Sequence, residues 1–261
     1  MKKDVIKLID IHTHILFDVD DGPKNESDSL NMLKQAAMEG ITDIVCTSHA
    51  MHPQYHVQYS KVEEQVSALQ QLLQDHQISI TLHTGHEVRL NDELLPRLQQ
   101  KQLHTLAHSH YILLELPSNT IPAYTKEMIR RLKFAGYTPI LAHPERNHAI
   151  RENPKRLDDL ILEGAFTQIT TGSLTGLFGK EVQRLSLALV RANYIHTIGS
   201  DAHNVSTRKF CYQAALQYLA KKNEVEVVDR LLMNNASVLA NKPIMPLELE
   251  DIAVRKRWLL F

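Results

Sequence analysis

The chain has 261 residues, of which 43% are hydrophobic and 23% charged, and its formal net charge is −1. That balance is ordinary for a soluble globular protein, offers no broad basic surface for nucleic acid, and includes no apolar run long enough to cross a membrane. Two cysteines, Cys46 and Cys211, are too few for a disulfide framework and fit a reducing cytosol. The residues Met1–Lys7 carry charge but lead into no signal-length apolar segment. The first strand is read at Leu8–His14, and its alternation aims His12 and His14 the same way. A helix follows over Ser27–Glu39, with Leu30, Leu33, Ala36 and Ala37 at helical spacing and Gly40 as its stop. Next come a strand at Ile41–Cys46, a polar-faced helix over 57–76, and strands at Ile78–Glu87 and Tyr111–Leu116. The helix Ala123–Phe134, the strand Thr138–His143 and the helix Pro154–Glu163, with proline at its start, continue the alternation. It closes with Phe166–Thr171, the helix Lys180–Ala192, the strand Tyr194–Ser200 and two or three helices ending near Asn241.

About seven strand–helix repeats with short connections argue a mostly parallel sheet, either a barrel or a doubly wound sheet. No linker or low-complexity stretch divides the chain, so one domain over residues 1–261 is expected. The tail Lys242–Phe261 mixes prolines, charges and Trp258; it reads as a docked terminal segment or an interaction arm.

The unusual polar residues fall at predicted strand ends. His12 and His14 close the first strand, and Asp18, Asp20, Asp21 and Gly22 follow it. His49 and His52 follow the second strand, His86 and Glu87 end the third, and Glu115 ends the fourth. His143, Glu145 and Arg146 follow the fifth, and Asp201 and His203 the last. In a parallel α/β barrel the C-terminal strand ends converge on the face that carries the active site. One strand-end histidine is usually a hydrogen-bonded structural residue, and one aspartate after a strand is usually a helix cap. The joint pattern is different. A run such as Ile112-Leu113-Leu114-Glu115 buries a carboxylate, which needs a cation or several donors beside it. With 15 histidines in the chain, a divalent metal site is the natural reading.

The segments IDIHTHI, CTSHAMHP, GHEV, LLELP, LAHPERN and GSDAH, in this order, resemble the PHP metal-dependent phosphoesterases. More narrowly, HILFDVDDGPKNESDSLNML and HPERN resemble the bacterial manganese-dependent protein tyrosine phosphatases of capsule and exopolysaccharide operons. The resemblance spans Ile9 to about Pro243. It implies a distorted (β/α)7 TIM-like barrel holding three metals, Mn²⁺ first, with Fe and Zn also compatible. It implies that His12, His14 and Asp201 hold the first metal and that Glu87 bridges to a second, completed by Glu115 and His143. Asp21, His49 and His203 are implied for the third; Asp21 is taken over Asp18 and Asp20 because it directly precedes Gly22 in the DDG motif. Some PHP members carry histidine where this chain has Asp21 and Glu115, which places it nearer the tyrosine phosphatases.

Adjacent metals can share a water and lower its pKa towards neutrality, giving a hydroxide to attack phosphorus. A guanidinium binds two phosphate oxygens in parallel, and Arg146 and then Arg208 are the expected catalytic clamps. Each is alternatively a surface salt bridge. Asp10 is expected to orient a ligand histidine. A thiolate phosphatase needs arginine six positions after its cysteine; here those positions hold His52 and Gln217, so that route is not supported. The resemblance further implies an enzyme acting on the phosphotyrosine tail of a bacterial tyrosine kinase, and the cysteine count places it in the cytoplasm. The alternatives are a PHP phosphoesterase acting on a small phosphate ester such as histidinol phosphate, one acting on a nucleic-acid end, and an inactive metal-binding module.

Overall fold

The computed structural model describes residues 7–252. β1 (Leu8–Thr13) is followed by α1 (Glu26–Met38), β2 (Ile41–Cys46), β3 (His49–Ala50), α2 (Tyr59–Asp75), β4 (Thr81–Thr84), β5 (Glu87–Arg89) and α3 (Leu94–Gln99). Then come β6 (Tyr111–Glu115), α4 (Thr125–Phe134), β7 (Thr138–Ala142), α5 (His148–Glu152), α6 (Arg156–Leu162), β8 (Phe166–Thr170) and α7 (Thr171–Thr175). The chain continues through α8 (Lys180–Arg191), β9 (Thr197–Gly199), α9 (Tyr212–Lys221) and α10 (Val225–Leu239).

Every strand pair is parallel. The strands form two sheets, one ordered β1-β2-β4 and the other β3-β5-β6-β7-β8-β9. β2 passes into β3, and β4 into β5, across short bends, so nine strands make seven staves. The predicted single strand Ile78–Glu87 is therefore two strands in different sheets, broken at Gly85-His86. At the other side, Thr13 bridges Ala202 in parallel. There Asp201 N–H donates to the His12 carbonyl (2.8 Å) and His14 N–H to the Ala202 carbonyl (2.9 Å). The barrel is completed by this seam and by the two bends rather than by one continuous ladder.

Local chemistry sets the element ends. Asn25 caps α1 by accepting from Asp28 N–H (2.9 Å), with Glu26 and Asp28 favourably placed in the first turn. Past α1, Gly40 takes a left-handed φ of +81°, which glycine adopts without strain. Side-chain alternation sorts the core. Ile112 and Leu114 join Leu33, Leu69, Met128 and Leu132 between strands and helices. Tyr111 and Leu113 join Ile9, Ile11, Val45 and Ile140 inside the barrel. Val238 and Ile244 complete this interior cluster. The β1–β2 register shifts between Asp10 and Thr13, where interior isoleucines give way to His12 and His14.

The described part of the tail is docked. The Tyr111 hydroxyl donates to the Lys242 carbonyl (2.8 Å) and accepts from Ile244 N–H (2.9 Å), and Glu250 N–H donates to the Ala192 carbonyl (3.0 Å). Trp258 lies outside the described residues. Among the described residues no helix is long and apolar enough to cross a membrane.

Candidate metal centre

Seven staves deliver their C-terminal ends to one face, and nine side chains converge there. They are the imidazoles of His12, His14, His49, His143 and His203 and the carboxylates of Asp21, Glu87, Glu115 and Asp201. Glu87 lies at the middle. Its Oε1 is 2.8 Å from His143 Nε2 and 3.5 Å from His12 Nε2, and its Oε2 is 3.1 Å from His49 Nδ1 and 3.3 Å from His14 Nε2. Asp201 Oδ1 lies 3.3 Å from His12 Nε2 and 3.5 Å from His14 Nε2. Asp21 Oδ1 lies 3.1 Å from His203 Nε2 and 3.4 Å from His49 Nε2. Three subsets bring their donor atoms within 4.8 Å of one another: His14 with Asp21, His49 and His203; His12 with His14 and Glu87; and His49 with Glu87 and Glu115.

The backbone is shaped to make this convergence. His143 and Asp201 hold left-handed φ values of +36° and +52°, a conformation that costs energy outside glycine and gathers at functional sites. A Cβ on Gly199 would meet His12 Cβ at 2.7 Å, and one on Gly22 would meet the His14 carbonyl oxygen at 2.6 Å. Both glycines let the chain pass against the histidine strand.

Neighbouring polar groups fix the rings. His12 Nδ1 pairs with Gln168 Oε1 (2.8 Å), and His14 Nδ1 with Asp20 Oδ2 (3.0 Å). Each acceptor holds a proton on Nδ1, so Nε2 presents its lone pair to the centre. Asp20 Oδ2 also accepts from His49 N–H (3.1 Å), and Arg89 Nη1 holds Glu115 Oε2 at 2.8 Å. Asp10 departs from expectation. It touches no imidazole; its Oδ1 accepts from the backbone N–H groups of His12 (3.2 Å) and Ser200 (2.9 Å) and from the Tyr212 hydroxyl (3.2 Å). It ties the first stave to the last, while Gln168, on the one stave without a candidate ligand, orients His12.

The electrostatics ask for cations. Burial works to raise Glu87, but His12 and His49 hold its carboxyl well below the usual range. Burial likewise opposes Asp201, which Arg208 and Arg146 hold well down, and Asp21, held down by His203 and His49. Burial and the nearby Glu87 carboxylate push Glu115 up. Against burial, Glu87 and Asp21 push His49 up to about 11. Against burial and His49, Asp20 pushes His14 up to about 9. Burial and His14 take His203 down to about 4. These donors fit divalent metals. Among the described residues, Asp21 Oδ1, His49 Nδ1 and His203 Nε2 are buried without a hydrogen bond of good geometry, and a mixed oxygen and imidazole set suits Mn²⁺, Zn²⁺ or Fe²⁺.

Both predicted arginines reach the centre. Arg146 is bonded to Asp201 Oδ2, and Arg208 spans Asp201 Oδ2 (2.9 Å) and Asp21 Oδ2 (3.1 Å). The guanidinium of Arg146 also lies 4.6 Å from the Phe178 ring centroid. They face a cavity of about 180 Å³ that Glu87, Glu115 and His143 also line. His52 stands at the rim, and His86 is turned away, accepting on Nδ1 from His104 N–H (2.9 Å). His148 is exposed beside Glu152. Cys46 is buried, and burial pushes its thiol far up, which suits core packing rather than nucleophilic attack. Arg89, Gln168 and Asp20 were not singled out for these roles from sequence. Gln168 gave no clear signal, because its strand Phe166–Thr170 already mixes threonines with apolar residues.

A parallel α/β barrel with this donor set at its strand ends defines a metal-dependent barrel hydrolase. Within that class the chain belongs to the capsular polysaccharide synthesis CpsB/CapC family, whose model matches residues 8–241. It is 40% identical over 249 residues to tyrosine-protein phosphatase YwqE of Bacillus subtilis, covering 95% of this chain and 98% of that protein. Among solved structures, a chain from the crystal structures of YwqE and of CpsB from Streptococcus pneumoniae, called unique metal-dependent tyrosine phosphatases, superposes with a TM-score of 0.92. It is 39% identical, and the match covers 95% of this chain and 100% of that one. A TatD family hydrolase of Entamoeba histolytica, 12% identical, has a TM-score of 0.53 over 90% of this chain and 99% of its own, a likeness of fold alone.

Proposed function

We propose that this protein is a manganese-dependent protein tyrosine phosphatase of the cytoplasm. Its substrate is the phosphotyrosine tail of a bacterial tyrosine kinase, and its role is regulation of capsular or exopolysaccharide synthesis. The observation that carries this reading is the meeting of nine metal-type donors, six of which line one cavity with two arginines, in a chain so close to metal-dependent tyrosine phosphatases. His12, His14 and Asp201 are assigned to one metal, Glu115 and His143 to a second with Glu87 between them, and Asp21, His49 and His203 to a third. When bound, such ions lower the pKa of a water and neutralise phosphoryl oxygens.

The chain's own groups bind and orient. Arg146 and Arg208 present planar N–H forks to the phosphate oxygens, and Arg208 Nε has no hydrogen-bond partner among the described residues. Gln168 and Asp20 keep the His12 and His14 lone pairs turned inward. A phenol leaves with a pKa near ~10, far below an alkyl alcohol, so phosphotyrosine needs little help from a general acid.

Turnover of a phosphotyrosine peptide tests the reading. Activity is expected to vanish on chelation and return with Mn²⁺. Turnover that survives complete chelation would overturn the metal assignment, and strong preference for histidinol phosphate would overturn the substrate.

A further inference from the structure

The segment after β3, from Met51 to Gln58, forms neither helix nor strand, yet it is pinned over the metal centre. Val57 N–H donates to the His49 carbonyl (3.1 Å), and Gln54 N–H donates to His52 Nδ1 (3.2 Å). This folding places two rings beside the candidate ligand His49. The His49 and His52 centroids are 4.7 Å apart with planes at 24°, and those of His52 and Tyr55 are 5.4 Å apart at 20°. The His49 and Tyr55 rings lie 5.7 Å apart at 9°. Three nearly parallel rings are thus stacked beside the centre, and both added rings line the same cavity as the two arginines. His52 and Tyr55 are half-buried, so each keeps an open surface. Neither is needed as a metal donor.

A phosphoryl group held by the metals and the arginines leaves its ester group projecting past them. An aryl ester projects a ring, which gains contact area and favourable ring–ring geometry against an aromatic surface. A serine or threonine ester is shorter and offers no face. We propose that His52 and Tyr55 form the recognition wall for the phenyl ring of the substrate, so that selectivity for aryl over alkyl phosphates resides in the segment after β3. The inference rests on the phosphotyrosine reading above and names the residues that impose it. A smaller hollow of about 110 Å³, lined by Leu116, Ala142 and Arg146, flanks the centre and is the competing seat for the ring.

Phosphonates test this without a leaving group. Calorimetry gives the affinities of the metal-loaded enzyme for phenylphosphonate and methylphosphonate, and their ratio reports the ring contact alone. The wild-type protein is expected to prefer phenylphosphonate. In Tyr55→Leu the preference should fall about tenfold, in His52→Leu by a smaller factor, and in Tyr55→Phe it should be restored. With a phosphotyrosine peptide, the loss in Tyr55→Leu should sit mainly in KM. An unchanged ratio in both leucine variants, with wild-type phosphotyrosine turnover intact, would overturn the wall and leave the function standing. A ratio lost in Leu116→Ala instead would place the ring in the smaller hollow and also overturn it. A wall-dependent ratio in an enzyme with no phosphotyrosine turnover would uphold the wall and overturn the function.

Discussion

At the scale of single residues, the centre is made of donors that sequence position alone could nominate and of partners that it could not. His12, His14, Glu87, Glu115, His143 and Asp201 were legible because each interrupts or ends an apolar strand, where packing asks for no charge. Gln168 and Asp20 were not assigned their roles, because a hydrogen-bond partner is chosen by which stave lies alongside. Asp10 shows the converse. Its charge next to the histidines suggested a ring contact, yet its carboxylate is spent on backbone N–H groups of the first and last staves. The arginines carry a direct prediction. Arg146→Lys keeps the charge and loses the planar fork, so kcat/KM for a phosphotyrosine peptide should fall about ten- to a hundredfold. Arg208→Lys should behave likewise. Steady-state kinetics at saturating Mn²⁺ check both, and a loss below threefold in each would remove them from phosphate binding.

At the scale of elements, alternation and helix stops were readable in the sequence, while the bends were not. Ile78–Glu87 has strand composition apart from Gly85, and an isolated glycine signals a bulge or a close approach without saying that the strand divides between two sheets. The break is a packing event. A Cβ on Gly85 would meet Val45 Cγ1 at 2.6 Å and Thr47 Cγ2 at 3.2 Å, so only glycine lets the third stave cross the second and turn Glu87 inward. Gly85→Ala should therefore destabilise the fold by about 1–3 kcal/mol and loosen the centre together with it. Urea denaturation measures the first effect and Mn²⁺ affinity the second. A variant as stable as wild type would show that the bend does not depend on that contact. Gly199, at the end of the last stave, likewise leaves room for His12, whose Cβ a side chain there would meet at 2.7 Å.

At the scale of the whole molecule, barrel closure is a polar seam around Asp10, Ser200 and Asp201, and acid should attack the fold from its opposite end. His196 is fully buried below β9, its Nδ1 3.1 Å from Thr167 Oγ1, and burial with the nearby Arg230 takes its pKa down to about 4. The folded chain keeps this ring neutral, whereas the unfolded chain protonates it near 6.5. Its contribution to stability is thus complete above pH 6.5 and is lost as pH falls through the folded value. Between pH 7 and 5 it should account for about 2 kcal/mol of lost stability. His196→Gln should flatten the pH dependence of urea unfolding over that range, and an unchanged slope would assign the acid sensitivity elsewhere. The most direct measurement of the central claim is anomalous scattering at the manganese edge from Mn²⁺-loaded crystals. Three peaks among the nine donors, one beside each assigned set, are the expected result. No peak there, or peaks only at surface carboxylates, would contradict the metal centre on which the proposed chemistry depends.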